Sequence, residues 1–245
     1  MSRLLLMFRR ELWVFAVSPV FWVIASLAWL LSGIVFRYIS LVGSGGDVSL
    51  LVQSAGVLCI RIQIIFVPLL TMRMLAEEKR TGTFEMLVTA PARDHEVVLA
   101  KFLAAWVMNA LIWLIIPVWF LLFSSLGVEP DFGVVMTTYC GAILIGAVFI
   151  AAGIMTSAMT QHQILAGFFS FVILMILLFL PSVTVGLEGS FGRALNLVLR
   201  EGYLGHQMTE ASMGIIDVVS ITYQVCITGV FLLLATRILE VRKWR

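Results

Sequence analysis

The side chains able to do chemistry are few, and most of them sit in one stretch. Residues 69–102 read LLTMRMLAEEKRTGTFEMLVTAPARDHEVVLAKF. Acids and bases crowd this segment, yet Phe84, Leu87 and Val88 stand among them. Charged shoulders around a short apolar face suit docking rather than catalysis. The apolar face enters a groove on a partner, and the charges orient it. Glu77, Glu78, Lys79, Arg80, Gly82, Phe84, Glu85, Leu87 and Val88 are the candidates for that contact. The plainer alternative is a solvated loop whose apolar residues fold back on a membrane surface. A second candidate group is Arg37, Arg61 and Asp217, charges in or beside otherwise oily runs. They suit either an Arg–Asp pair or a cationic lining for an anionic solute.

Other chemistry has no residues to carry it. The chain lacks a GxxxxGK[ST] phosphate loop, so it has no ATP site of its own. It lacks HExxH and GxSxG, and no His, Cys and carboxylate side chains cluster at metal or catalytic spacing. Cys59, Cys140 and Cys226 lie apart in apolar runs, with neither a disulfide pattern nor a metal pattern. A net charge of +2 gives no reason to expect a nucleic-acid partner. Ion-coupled carriers place ionisable groups within their spans, but the first five apolar runs contain no Asp or Glu in their cores. The runs also do not divide into two similar halves, as those of many such carriers do. His206 is expected to be a hydrogen-bonded structural residue rather than a ligand.

The elements that must position these residues are membrane helices. The chain has 245 residues, of which 61% are hydrophobic and 12% charged. A typical soluble domain carries about 25% charged residues. A span needs about 20 apolar residues, and six runs qualify: 18–41, 52–75, 99–126, 133–159, 163–181 and 218–239. All should be helical, because lipid does not tolerate unpaired backbone. Leu4, Leu5, Phe8, Leu12 and Phe15 recur at helical spacing, with Arg9, Arg10 and Glu11 assigned to the opposite side. That pattern predicts an interfacial helix before span one. TMRMLAEEKR should continue span two beyond the membrane. Gly82 then breaks the helix, and FEMLVTAP forms a short cross-helix ended by Pro91. Small residues four apart in span four (Ala142 and Gly146, Ala147 and Ala151, Gly153 and Ser157) predict close helix packing, either within the chain or between subunits. The semi-apolar segment 182–217 reads as a partly re-entrant outer element. With the N-terminus in the cytoplasm, twelve of the 16 Lys and Arg residues fall on the inner side, which places both termini there. By helical rise from Pro19 and Glu77, Arg37 and Arg61 are expected at similar depth, near Asp217.

The residues carry a resemblance. PLLTMRMLAEEKRTGTFEMLVTAPARDHEVVLAKF is similar to the signature loop of type-2 ABC exporter permeases, above all their gliding-motility-type branch. FRRELWVFAVSPVFWVIASLAWLLSGIVF, and LGHQMTEASMGIIDVV followed by RILEVRKWR, resemble that branch's opening and closing segments. Arg61 departs from the pattern, since an apolar residue is expected there. The resemblance implies a single all-α permease domain over 1–245, with six transmembrane helices, an N-terminal interfacial helix, a cytoplasmic coupling helix and a partly re-entrant segment before the last span. It implies two permease subunits, the second a copy or a homologue, and two ABC ATPase subunits that hold the ATP and Mg. An auxiliary membrane-anchored extracytoplasmic subunit is a further partner to expect. The expected site is the bacterial inner membrane and the expected role is export. The rival reading is transmission of force, or release of an envelope component, without moving a solute.

Overall fold

The computed structural model describes residues 3–42, 48–81, 94–125, 131–184 and 204–242. All the regular elements among them are helices: α1 (Arg3–Val17), α2 (Pro19–Val42), α3 (Val48–Thr71), α4 (Ala76–Arg80), α5 (Asp94–Trp113), α6 (Ile115–Ser125), α7 (Phe132–Met159), α8 (Gln163–Thr184), α9 (Leu204–Ser212) and α10 (Val218–Arg242). The chain is an all-α membrane protein. Among the described residues, five stretches are long and apolar enough to cross a bilayer: Pro19–Tyr38, Gly56–Arg80, Asp94–Leu122, Phe132–Met159 and Val218–Val241. The fifth run of the sequence lies in α8, whose apolar stretch Gln163–Phe179 is shorter than these.

The bundle is built around α7. Of its apolar window, 83% is buried inside the chain, and α3, α5, α8, α9 and α10 pack on it. Such close packing needs small residues. A Cβ on Gly146 would stand 2.8 Å from Gln63 Oε1, and one on Gly153 would stand 2.8 Å from Thr71 Cβ. The small-residue rows of span four therefore serve packing within the chain.

α1 lies along α5. Leu12 and Phe15 pack against the core, while Trp13, Val14 and Val17 are exposed. Glu11 does not join Arg9 and Arg10 on the outer face as expected. It sits seven residues after Leu4 and four before Phe15, so the helical repeat turns it inward with them. The corner into α2 is fixed by Pro19, which suits a first helical position, and by Trp22, whose indole N–H donates to the Ala16 carbonyl at 2.8 Å.

Two expected helices are broken. Span three divides at Leu114, between α5 and α6. Pro117 supplies no N–H to the carbonyl of Trp113 and crowds it. The indole N–H of Trp29 donates to the neighbouring Ile112 carbonyl at 2.7 Å. Span two does not run straight into its charged extension either. The helix ends at Thr71, residues 72–75 form a turn, and α4 starts afresh at Ala76.

Before the last long helix, α9 packs on α7 and α3. It ends in a left-handed glycine, Gly214 (φ 85°). The Ile215 N–H returns to the Glu210 carbonyl at 3.0 Å, and the Gly214 N–H to that of Ala211 at 3.3 Å. This is the glycine C-cap that satisfies the last carbonyls of a helix. Gln224 Nε2 of α10 donates to Gln207 Oε1 of α9 at 2.9 Å.

Candidate functional site

The charged stretch begins at the break after α3. At a normal helical continuation, the N–H groups of Leu75 and Ala76 would bond to carbonyls one turn back. Instead both donate to one hydroxyl, Ser157 Oγ of α7, at 3.1 and 3.0 Å. Ser157 in turn donates to the Met72 carbonyl at 3.3 Å. Leu75, Ala76 and Ser157 are fully buried. An unpaired buried N–H costs about 1–3 kcal/mol, so Ser157 stabilises a bend that would otherwise leave two donors empty.

Beyond the bend, α4 is a stem of five residues whose charged side chains divide by role. Lys79 Nζ donates to the Ala158 carbonyl near the C-terminus of α7. That end of a helix holds unpaired carbonyls and attracts cations. Glu78 turns to Lys101 of α5, with Oε1 2.6 Å from Nζ. Glu11 of α1 meets the same Nζ through Oε2 at 3.1 Å. Lys101 is 3% exposed, and the two acid side chains are 13% and 17% exposed. One nearly buried cation thus joins three segments distant in sequence. Glu77 is half-buried and Arg80 exposed. Expected as equal flanks of a docking face, the four charges are instead split, with Glu78 and Lys79 turned to the chain's own helices. Gly82, Phe84, Glu85, Leu87 and Val88 lie outside the described residues.

The stem connects downward to a buried polar row. Gln63 Nε2 donates to the Ala142 carbonyl at 3.0 Å. Asn109 Nδ2 reaches Gln63 Oε1 at 3.5 Å. Trp113 Nε1 donates to Asn109 Oδ1 at 3.2 Å. Pairing of this kind lets amides sit in an apolar interior, and it ties α3 and α5 to α7 at fixed register.

The second candidate group is not assembled as a pair. Asp217 caps α10: Oδ2 accepts from Ser220 N at 3.0 Å and from Ser220 Oγ at 2.9 Å, and Oδ1 accepts from Val219 N at 3.2 Å. The backbone bond from Ser220, its hydroxyl and the Val219 N–H, in that order, hold the carboxyl below its ordinary value. Among the described residues no ion pair joins Asp217 to Arg37 or Arg61, and both arginines are exposed on the single chain. Along their helices, Arg61 stands ten residues before the end of α3 at Thr71, and Arg37 eighteen residues after the start of α2 at Pro19. His206 Nε2 lies 3.4 Å from Glu210 Oε1 one turn on, a local helical contact.

Sequence reasoning read Ser157 only as a small packing residue and missed its hydrogen bonds to the bend, and it missed that Glu11 and Lys101 meet. A signal for the latter pair was present: one acid on a basic flank, and one lysine inside VVLAKFLAAW. Ser157 gave no such signal, because its partners are backbone groups some eighty positions away.

No curated protein matches the chain. A family model described as ABC-2 family transporter protein matches residues 5–190. The match runs from the interfacial helix past α8, so it takes in the bend, the stem and the Lys101 junction. Well over half of the chain is covered, and the chain belongs to the ABC-2 transporter family as a type-2 ABC permease.

Proposed function

We propose that this permease is the membrane subunit of an ATP-driven exporter, and that α4 with the segment after it receives the motion of a separate ATPase chain. The observation that supports this best is the attachment of the stem. Five residues reach α7 through Ser157 and Lys79, and reach α1 and α5 through Lys101. A stem held at so many points cannot be displaced without moving the helices behind it. The assembly in this reading is two permeases, identical or homologous, with two ATPases carrying ATP and Mg. It is of the gliding-motility type, lies in the bacterial inner membrane with both termini cytoplasmic, and uses α8 as the sixth crossing. Arg61, exposed on the single chain and with no ion pair among the described residues, favours a wetted face that an anionic solute passes over.

The test is capture of the ATPase by the permease. A central aromatic anchor often carries about 2 kcal/mol or more, which is about thirtyfold in affinity. An exposed charge is worth under about 1 kcal/mol. Phe84→Ala with Leu87→Ala should therefore abolish capture or uncouple hydrolysis from export, while Arg80→Ala should do little. Undiminished capture and coupling in the double variant would reduce the loop to a connector. In the same preparation, hydrolysis stimulated by a solute favours export, and hydrolysis indifferent to every solute favours force transmission.

A further inference from the structure

At the cytoplasmic end of the bundle, α1, α2, α3 and α5 enclose a cavity of about 200 Å³. This is several times the roughly 30 Å³ that a water occupies in the liquid. One wall is apolar, formed by Phe21, Ile24, Leu69 and Leu70. The other carries charge from Glu11, Arg73, Glu77, Glu78 and Lys101. Val14 and Leu69 at the rim are exposed, as are Trp13 and Val17 of the interfacial helix beside it. The cavity therefore stands at headgroup level and opens sideways to the bilayer.

The five charges are not equivalent. Lys101 is satisfied by Glu11 and Glu78. Arg73 and Glu77 are left, four residues apart across the bend, and no ion pair joins them to each other or to any other described residue. An anionic ligand alone would meet Glu77, and a cationic one would meet Arg73. A ligand carrying both signs on a short polar head, with apolar chains behind, matches both charges and the wall.

We propose that this cavity binds one phospholipid with a primary-amine zwitterionic headgroup, phosphatidylethanolamine. The cavity takes the headgroup: the phosphate is held by Arg73, the ammonium donates to Glu77, and the chains leave past Leu69 and Val14, which are exposed. The ammonium is the discriminating group: a quaternary choline has no N–H to donate to the Glu77 carboxylate, and a glycerol headgroup has no cation. The site does not depend on which ATPase drives the protein.

The experiment is native mass spectrometry of the full chain purified in detergent and equilibrated with equal amounts of phosphatidylethanolamine, phosphatidylcholine and phosphatidylglycerol. The expected result is one retained phosphatidylethanolamine per chain, in preference to the other two. Glu77→Gln should lower that retention about tenfold, the scale of one charge-assisted hydrogen bond, and leave phosphatidylcholine unchanged. Arg73→Ala should weaken retention of all three, because each carries the phosphate. Thermal unfolding of each variant checks that the fold is kept. Equal or greater retention of phosphatidylglycerol or phosphatidylcholine, no retained lipid, or indifference to both substitutions would each overturn the proposal.

Discussion

Removing the cation at the Lys101 junction should reveal how strongly the junction is built. The two acid oxygens lie 3.1 and 2.6 Å from Nζ, so they are at most about 5.7 Å from each other. Lys101→Met keeps the apolar stem of the side chain and leaves two carboxylates facing across that gap. At an effective dielectric of about 20, two like charges at this separation repel by about 3 kcal/mol. That agrees with the 3–5 kcal/mol that breaking a buried pair commonly costs. The expected loss is therefore about 3 kcal/mol for Lys101→Met, with most of it recovered in Lys101→Met combined with Glu78→Gln, which removes one of the two charges. Denaturant unfolding of the purified chain in a fixed detergent measures both. Equal stability of the single and double variants, or a single-variant loss under about 0.5 kcal/mol, would show that the acids relax away from each other and that the junction does not hold the stem.

Ser157→Ala should cost about 1–3 kcal/mol for each N–H it orphans, read by the same unfolding, and should raise hydrogen exchange at Leu75 and Ala76. Gly153→Ala should destabilise by about 1–3 kcal/mol, the usual range for overpacking, because its new methyl meets Thr71. By contrast Gly229→Ala has nothing within 4 Å of the added carbon and should be neutral or stabilising by up to about 1 kcal/mol through helix propensity; a matching loss at both positions would refute the packing argument. For Asp217, the capped carboxyl is held below its ordinary value, so its contribution is present above the unfolded-state value and is lost as pH falls through the lower, folded one. Wild type should therefore melt above Asp217→Ala at pH 7, and the difference should shrink on acidification.

The bundle was legible because it follows from lengths and periods. Apolar runs long enough to span became helices. Neither break was read in advance, although one of them has a local cause. Pro117 lies three residues beyond the break at Leu114 and is a known helix breaker. The bend at 72–75 has no such local cause strong enough to announce it. Its donors are satisfied by Ser157, and only the fold brings that hydroxyl to them. The charges of α4 looked alike in sequence because helical spacing separates faces but does not say what lies against each. Glu78 and Lys79 are adjacent, about 100° apart around the axis, and that alone sends one to Lys101 and the other to the end of α7.

The two kinds of attachment on the stem differ in what they permit. Replacing a buried ionic cluster with apolar residues is often neutral or stabilising, so Lys101 is poor value if stability were its whole purpose. A shared cation has another property. If the stem shifts and Glu78 leaves, Lys101 keeps Glu11, and no buried charge is left alone. The bond from α1 to α5 therefore survives a displacement of α4. Ser157 has no such reserve: drawing α4 away empties two backbone donors and the hydroxyl together. In the proposed coupling, a pull on the stem would be carried by Ser157 to α7, the helix on which α3, α5, α8, α9 and α10 pack. For the proposed coupling this is the useful asymmetry. Under that proposal force would reach α7 through the hydrogen bonds to Ser157, while α1 would keep its ion pair with Lys101.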